Sequence, residues 1–250
     1  MGLELLFLYL TGVFAGFINL LAGGGSLLTL PFLILFIGLD PALANGTNRL
    51  GLAFGALTGI KNFKDKGFFD LSIGLQIGIP AIFGAILGSL FAIEVSGALF
   101  KKILAAVMVF MLYFIVKGSK NDHSHHLETP GRLKKLIIIL TFFAVGFYGG
   151  FIQIGIGFII MFALSLLFET SLIRINSLKV FLVFTYMLFS LGVFILHQKV
   201  HWGYGAVLAL GNGTGTYLAT HLAIKKGSNW VRIYMCVAVL TLVAKLLEIF

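Results

Sequence analysis

The stretch Gly16-Phe17-Ile18-Asn19-Leu20-Leu21-Ala22-Gly23-Gly24-Gly25-Ser26 separates two apolar runs, Leu3 to Phe14 and Leu27 to Ile37. Both flanks are hydrophobic enough for a bilayer core, where no water is available to the backbone. Every N–H and C=O at that depth must be paired inside its own segment or line a polar cavity. Three consecutive glycines with an Asn and a Ser are a poor lipid-facing helix, so the stretch reads as a helix opened toward a cavity, as in transporters with discontinuous helices. A second glycine-interrupted stretch follows at Gly146-Phe147-Tyr148-Gly149-Gly150, continuing through Gln153, Gly155 and Gly157. One break in each half of the chain marks a place for a solute.

Composition agrees. Of 250 residues, 59% are hydrophobic and 11% charged, with a mean hydropathy of +1.06, against about 25% charged residues in soluble domains. The apolar runs are continuous rather than alternating, which excludes a β-barrel. The fold class is all-α, a polytopic membrane helical bundle lying in the lipid bilayer. Met1-Gly2-Leu3-Glu4 carries an acid where a signal peptide needs basic residues, so the first segment reads as a mature spanning helix. Cys236 is the only cysteine, which leaves no intrachain disulfide. The formal net charge of +9 sits mostly in short loops, as the positive-inside rule produces, and does not call for nucleic acid.

The apolar segments run roughly over 3–20, 27–38, 43–60, 71–93, 99–117, 136–153, 156–168, 172–197, 203–223 and 229–248. The second and seventh directly follow the two glycine breaks. They are too short for the approximately 20 residues a full crossing needs, and read as thin crossings or re-entrant arms. Counting ten segments from an outside N-terminus places Lys61, Lys64, Lys66, Lys117, Lys120, Arg132, Lys134, Lys135, Arg174, Lys225, Lys226 and Arg232 inside. The expected location is the cell (inner or plasma) membrane, with both termini outside.

The halves resemble one another. Gly16-Phe17 answers to Gly146-Phe147, Thr47-Asn48-Arg49 to Asn176-Ser177 and Lys179, and Lys66-Gly67-Phe68-Phe69 to Lys199-Val200-His201-Trp202. Five segments per half is an odd number, so the second copy is expected upside down, in the inverted-repeat manner of many transporters. The expected organisation is a first membrane repeat over 1–117, a hydrophilic central loop over 118–135 and a second membrane repeat over 136–250.

The candidate solute-binding residues cluster at the breaks and in the polar runs after them. In the first half they are Asn19, Gly23, Gly24, Gly25, Ser26, Thr47, Asn48 and Arg49; in the second, Gln153, Gly155, Gly157, Asn176, Ser177 and Lys179. Glycines let backbone N–H groups approach a ligand, and a helix N-terminus favours an anion. If Ser26 opens the next helix, its hydroxyl is available as a cap. Arg49 and Lys179 lie near the starts of long apolar runs without acidic neighbours, placed either to bind an anion or to snorkel to the headgroups. Gln76, Asn62 and Asn212 suit helix–helix hydrogen bonds. The carboxylates sit at segment ends or in loops, so no buried acid pair suggests a cation site. His123, His125 and His126 read as a solvated loop rather than a metal site. No catalytic motif or cofactor-binding signature is present, and a membrane enzyme is a poor fit.

The residues Gly16-Phe17-Ile18-Asn19, Gly23-Gly24-Gly25-Ser26, Pro31, Gly38-Leu39-Asp40-Pro41, Ala44, Thr47-Asn48 and Gly67 resemble the first repeat of the TauE/SafE family of sulfite and organosulfonate exporters. Gly146, Asn176-Ser177 and His201-Trp202 resemble its second copy. That copy departs from the family pattern at Gln153-Ile154-Gly155-Ile156-Gly157 and at Asn176, where a fuller glycine run and a Thr are usual. The resemblance implies a bacterial or archaeal permease for small sulfur-containing anions such as sulfite, thiosulfate or sulfoacetate, working by alternating access. An anion channel with a broken-helix filter, or a membrane scaffold that transports nothing, are the other readings the residues allow.

Overall fold

The computed structural model describes residues 2–65, 70–117, 131–168, 170–222 and 239–246. All regular structure among them is helical: α1 (Gly2–Ala22), α2 (Ser26–Leu35), α3 (Pro41–Asp65), α4 (Leu71–Glu94), α5 (Gly97–Lys117), α6 (Arg132–Phe151), α7 (Ile156–Leu167), α8 (Leu172–Leu196) and α9 (Trp202–Leu222). A tenth helical stretch, α10, covers 239–246. The Lys66 to Phe69 loop, the His123, His125 and His126 run, Cys236, Lys225, Lys226 and Arg232 lie outside the described residues.

Four helices, α1, α4, α6 and α8, are long and apolar enough to cross a bilayer. At 10 and 12 residues, α2 and α7 reach only about 15–18 Å at 1.5 Å per residue, half the roughly 30 Å of hydrocarbon. Both are half-helices begun at a glycine break. The sixth segment starts earlier than hydropathy alone suggests: α6 begins at Arg132 with Gly131 at its cap, so the charged Arg132, Lys134 and Lys135 are helical rather than loop. A helix carries its polar first turn beyond the apolar core at little cost, because those side chains reach water.

Side-chain size is sorted in the manner of a membrane protein. On α4 the large residues Leu71, Leu75, Ile79, Phe83, Leu87 and Phe91 face outward, while Gly74, Gly78, Ala81, Gly84, Ala85, Gly88 and Ser89 are buried. Lipid tails are as apolar as leucine, so helices gain by close backbone approach rather than by hiding apolar bulk. The consequence is tight: a Cβ on Gly84 or Gly88 would strike the α6 backbone at Phe143 and Phe147, and one on Gly146 or Gly150 would strike α4 at Ala81 and Ala85. The seam between α1 and α9 is built alike, with Gly16 against Asn212 and Gly215 against Val13.

These seams interlock the halves. The most extensive pairings are α1 with α9 and α4 with α6, followed by α3 with α9, α4 with α8 and α3 with α8. The helices therefore adjoin in the order α1, α9, α3, α8, α4, α6. That order reads the same when each helix is exchanged for the one five places away in the chain. The two central helices, α3 and α8, carry both buried cations and several other buried polar side chains: Asn45, Thr47, Asn48 and Arg49 on one, Ser177, Lys179 and Ser190 on the other. Asp40 begins α3 by accepting from the amides of Ala42 and Leu43 at 3.0 and 3.4 Å, with Pro41 in the first helical position, where its missing N–H is not needed.

Candidate functional site

The two glycine breaks meet. Gly157 N–H donates to Gly23 O at 3.1 Å, and a Cβ on either residue would overlap the other's backbone. At the first break α1 closes with Gly23, whose φ of 81° is left-handed, and whose N–H donates to Asn19 O at 2.9 Å. The amides of Gly24, Gly25 and Ser26 reach no backbone carbonyl among the described residues. Ser26 does open α2, but the cap position is Gly25, which carries no side-chain cap. The expected hydroxyl cap is absent because Ser26 sits one residue inside the helix.

At the second break Gln153 holds the left-handed position, with φ 54°, and Gly155 caps α7 at φ 63°. Gln153 lies 130 positions after Gly23 (23 to 153). The same interval relates the two buried cations and their acceptors. Arg49 on α3 donates through Nη1 to Gly149 O at 3.1 Å and through Nη2 to Gly150 O, the last turn of α6. Lys179 on α8, 130 positions later (49 to 179), donates through Nζ to Asn19 O at 3.2 Å and Leu20 O at 3.0 Å, the last turn of α1. Each acceptor pair is again 130 apart (19 to 149, 20 to 150). Each half thus supplies a cation to the broken helix of the other.

The reason is electrostatic. A helix that stops at mid-membrane leaves its last carbonyls unpaired and its negative dipole end in a medium without water. A cation there satisfies both demands. Neither side chain snorkels: Arg49 is 0% exposed and Lys179 2%.

The two ends are finished differently. Around α6, Asn45 Nδ2 donates to Phe151 O at 2.8 Å and Tyr148 Oη to Ile154 O, while Ser89 Oγ donates to Ala85 O at 2.7 Å and lies 3.3 Å from Gly150 O. Ser89 also bonds Ser190, and the Arg49 guanidinium lies 4.5 Å over the Phe194 ring. The ring of fully buried Tyr186 packs on Gly149, where a Cβ would come within 2.9 Å of its hydroxyl oxygen. Around α1 lies a cavity of about 20 Å³, between Asn19 and Leu20, Gly55 and Ala56, Gly157, Lys179, Val183 and Thr216. Ala56 and Tyr186 are 130 apart (56 to 186), as are Asn19 and Gly149.

The remaining candidates fall into two groups. Thr47 is committed to structure, donating to Leu43 O at 2.6 Å and accepting from His201 N at 2.9 Å. Buried side-chain atoms of Asn48, Gln153, Asn176 and Ser177 have no hydrogen-bond partner among the described residues. Asn48 shares a helix face with Gly55, seven residues on, and Asn176 shares one with Lys179, while Ser177 lies far round α8 from Lys179. Asn62 bonds Thr220 at 2.9 Å and Asn212 bonds Leu208 O at 3.1 Å, as helix-to-helix or local ties. Asn45, Ala56, Ser89, Tyr186, Ser190 and Thr216 were not among the sequence candidates. A serine inside an apolar run is a signal that was available, whereas Ala56 and Tyr186 carry none until the helices are assembled.

Residues 8–246 match the family described as Sulfite exporter TauE/SafE. The chain belongs to that family. Among curated relatives, it is 31% identical over 248 residues to a probable membrane transporter protein of Haemophilus influenzae, covering 98% of this chain and 95% of that one. It is 29% identical to the probable membrane transporter protein ORF9 of Sinorhizobium sp, covering 97% and 92%. The probable membrane transporter protein YfcA of Escherichia coli K12 is also 29% identical, covering 96% and 88%. No solved structure gives a significant match. As a TauE/SafE protein with several apolar spanning helices, the chain is a membrane transporter.

Proposed function

We propose that this transporter is a permease for small anions, sulfur oxyanions or organosulfonates such as sulfite, thiosulfate or sulfoacetate, moved by alternating access between two inverted halves. The observation that carries the reading is the crossing of the two breaks at Gly23 and Gly157, with a buried cation at each interrupted helix. Two positive side chains with no carboxylate partner among the described residues favour an anion over a cation. The uncapped start of α2 adds backbone N–H groups and the positive end of its dipole. The family's name supplies the sulfur chemistry. The unchanged order of helix packing under exchange of halves supports the inverted arrangement, with repeats over 1–117 and 136–250. Unpartnered Asn48 and Gln153 amides are available as neutral ligand contacts beside the charges.

The positive-inside pattern supports a bacterial inner-membrane or plasma-membrane location with both termini outside. The test is exchange of radiolabelled sulfite against unlabelled sulfite in liposomes holding the purified protein. Saturable uptake, accelerated by unlabelled anion on the far side, is expected. Single-channel currents instead would make the protein a pore and contradict alternating access.

A further inference from the structure

The pseudo-equivalent breaks differ in what their cations have left to offer. Lys179 has three N–H donors. Two serve Asn19 O and Leu20 O, and the third contact, Met161 Sδ at 3.9 Å, is a weak acceptor that an oxyanion oxygen would displace. Arg49 gives its terminal nitrogens to Gly149 O, Gly150 O and Asn45 Oδ1, with a weak contact to Met187 Sδ and Nε unpartnered among the described residues. The clearer difference is the packing beside each cation. Beside Lys179 the small residue Ala56 and Asn19 border the cavity. Beside Arg49 the corresponding positions are Tyr186 and Gly149, and the ring lies on the glycine.

We infer that the anion is held at one break only, by Lys179 with Asn19 and Thr216 around the cavity of the first break, and that Tyr186 plugs the matching space at the second. The inference rests on the anion-permease reading above and narrows its site to half of the crossing. Each chain then carries one anion per cycle, and Arg49 is a positioning residue that holds α6 in place. The cavity volume of about 20 Å³ is room for about one water, so the site is closed as it stands. Gly157 is part of its wall and bonds Gly23, so an oxyanion enters as that contact opens. The Gly55 and Ala56 wall leaves space for a compact inorganic oxyanion before an organosulfonate with a carbon tail.

Sulfite binding to purified protein by titration calorimetry, with labelled-sulfite exchange in liposomes, tests this. Ala56→Phe fills the cavity and is expected to weaken sulfite binding by at least about tenfold. Lys179→Gln is expected to weaken it by about ten- to hundredfold. Tyr186→Phe, which keeps the plug, should stay within about twofold. An Ala56→Phe protein that is monodisperse and binds sulfite like the unaltered one would overturn the single-site inference while leaving the permease reading intact. Unaltered protein that neither binds nor exchanges sulfite, thiosulfate or sulfate would overturn both.

Discussion

The first break ends in a lysine, an alanine and a cavity; the second ends in an arginine and a tyrosine packed on a glycine. Both have a left-handed residue at the matched position, Gly23 and Gln153, and two matched carbonyls held by a cation from the opposite half, although Gly155 is left-handed and its counterpart Gly25 is not. The shared features answer the requirement that an interrupted membrane helix must be capped. The differences show what is left once that requirement is met. An arginine flanked by Asn45 and Ser89 completes the α6 end, so the second break is a joint. A lysine alone completes the α1 end beside a cavity, so the first break can also be a site.

Perturbations of matched positions should separate these roles. Arg49→Met strips the guanidinium from Gly149 O and Gly150 O in a fully buried place, a change of about 3–5 kcal/mol, seen as a large fall in the thermal midpoint of purified protein. Equal midpoints for Arg49→Met and Lys179→Met would break the comparison. Gly23→Ala combines a left-handed backbone with overlap onto Gly157; about 1–2 kcal/mol for the conformation and about 1–3 for the overlap should lower the midpoint clearly. Lys179→Met frees the same number of carbonyls as Arg49→Met but beside a cavity, so about 1–3 kcal/mol is expected, together with loss of sulfite exchange. Gln153→Gly has the smallest effect and the opposite sign. It relieves a left-handed glutamine whose amide is buried and unpartnered, stabilising the fold by about 1 kcal/mol. A fall in midpoint there would show that the glutamine amide has a partner that holds the break.

Much of this was legible in the chain. The helix boundaries follow from apolar runs of bilayer length, and both half-helices from runs too short to cross after a glycine break. The pairing of Arg49 with Lys179 as equivalents was also readable, because polar residues inside such runs are few. Their acceptors were not. Each cation reaches carbonyls 100 or 160 positions away in the other half, and carbonyls have no sequence signature. The packing of α1 on α9 and of α4 on α6 was equally hidden, since glycine spacing marks a close seam without naming the partner. The contrast between Ala56 and Tyr186 is the clearest case: each is an ordinary apolar residue of an apolar helix until its neighbour across the bundle is known.

The most direct measurement is an anomalous-scattering crystal structure of the protein soaked in selenite, the heavier analogue of sulfite. One selenium peak within hydrogen-bonding distance of Lys179 Nζ, beside Asn19 and Ala56, with none at Arg49, is the predicted result. A peak at Arg49, alone or matching one at Lys179, would contradict the assignment of a site to the first break and a joint to the second.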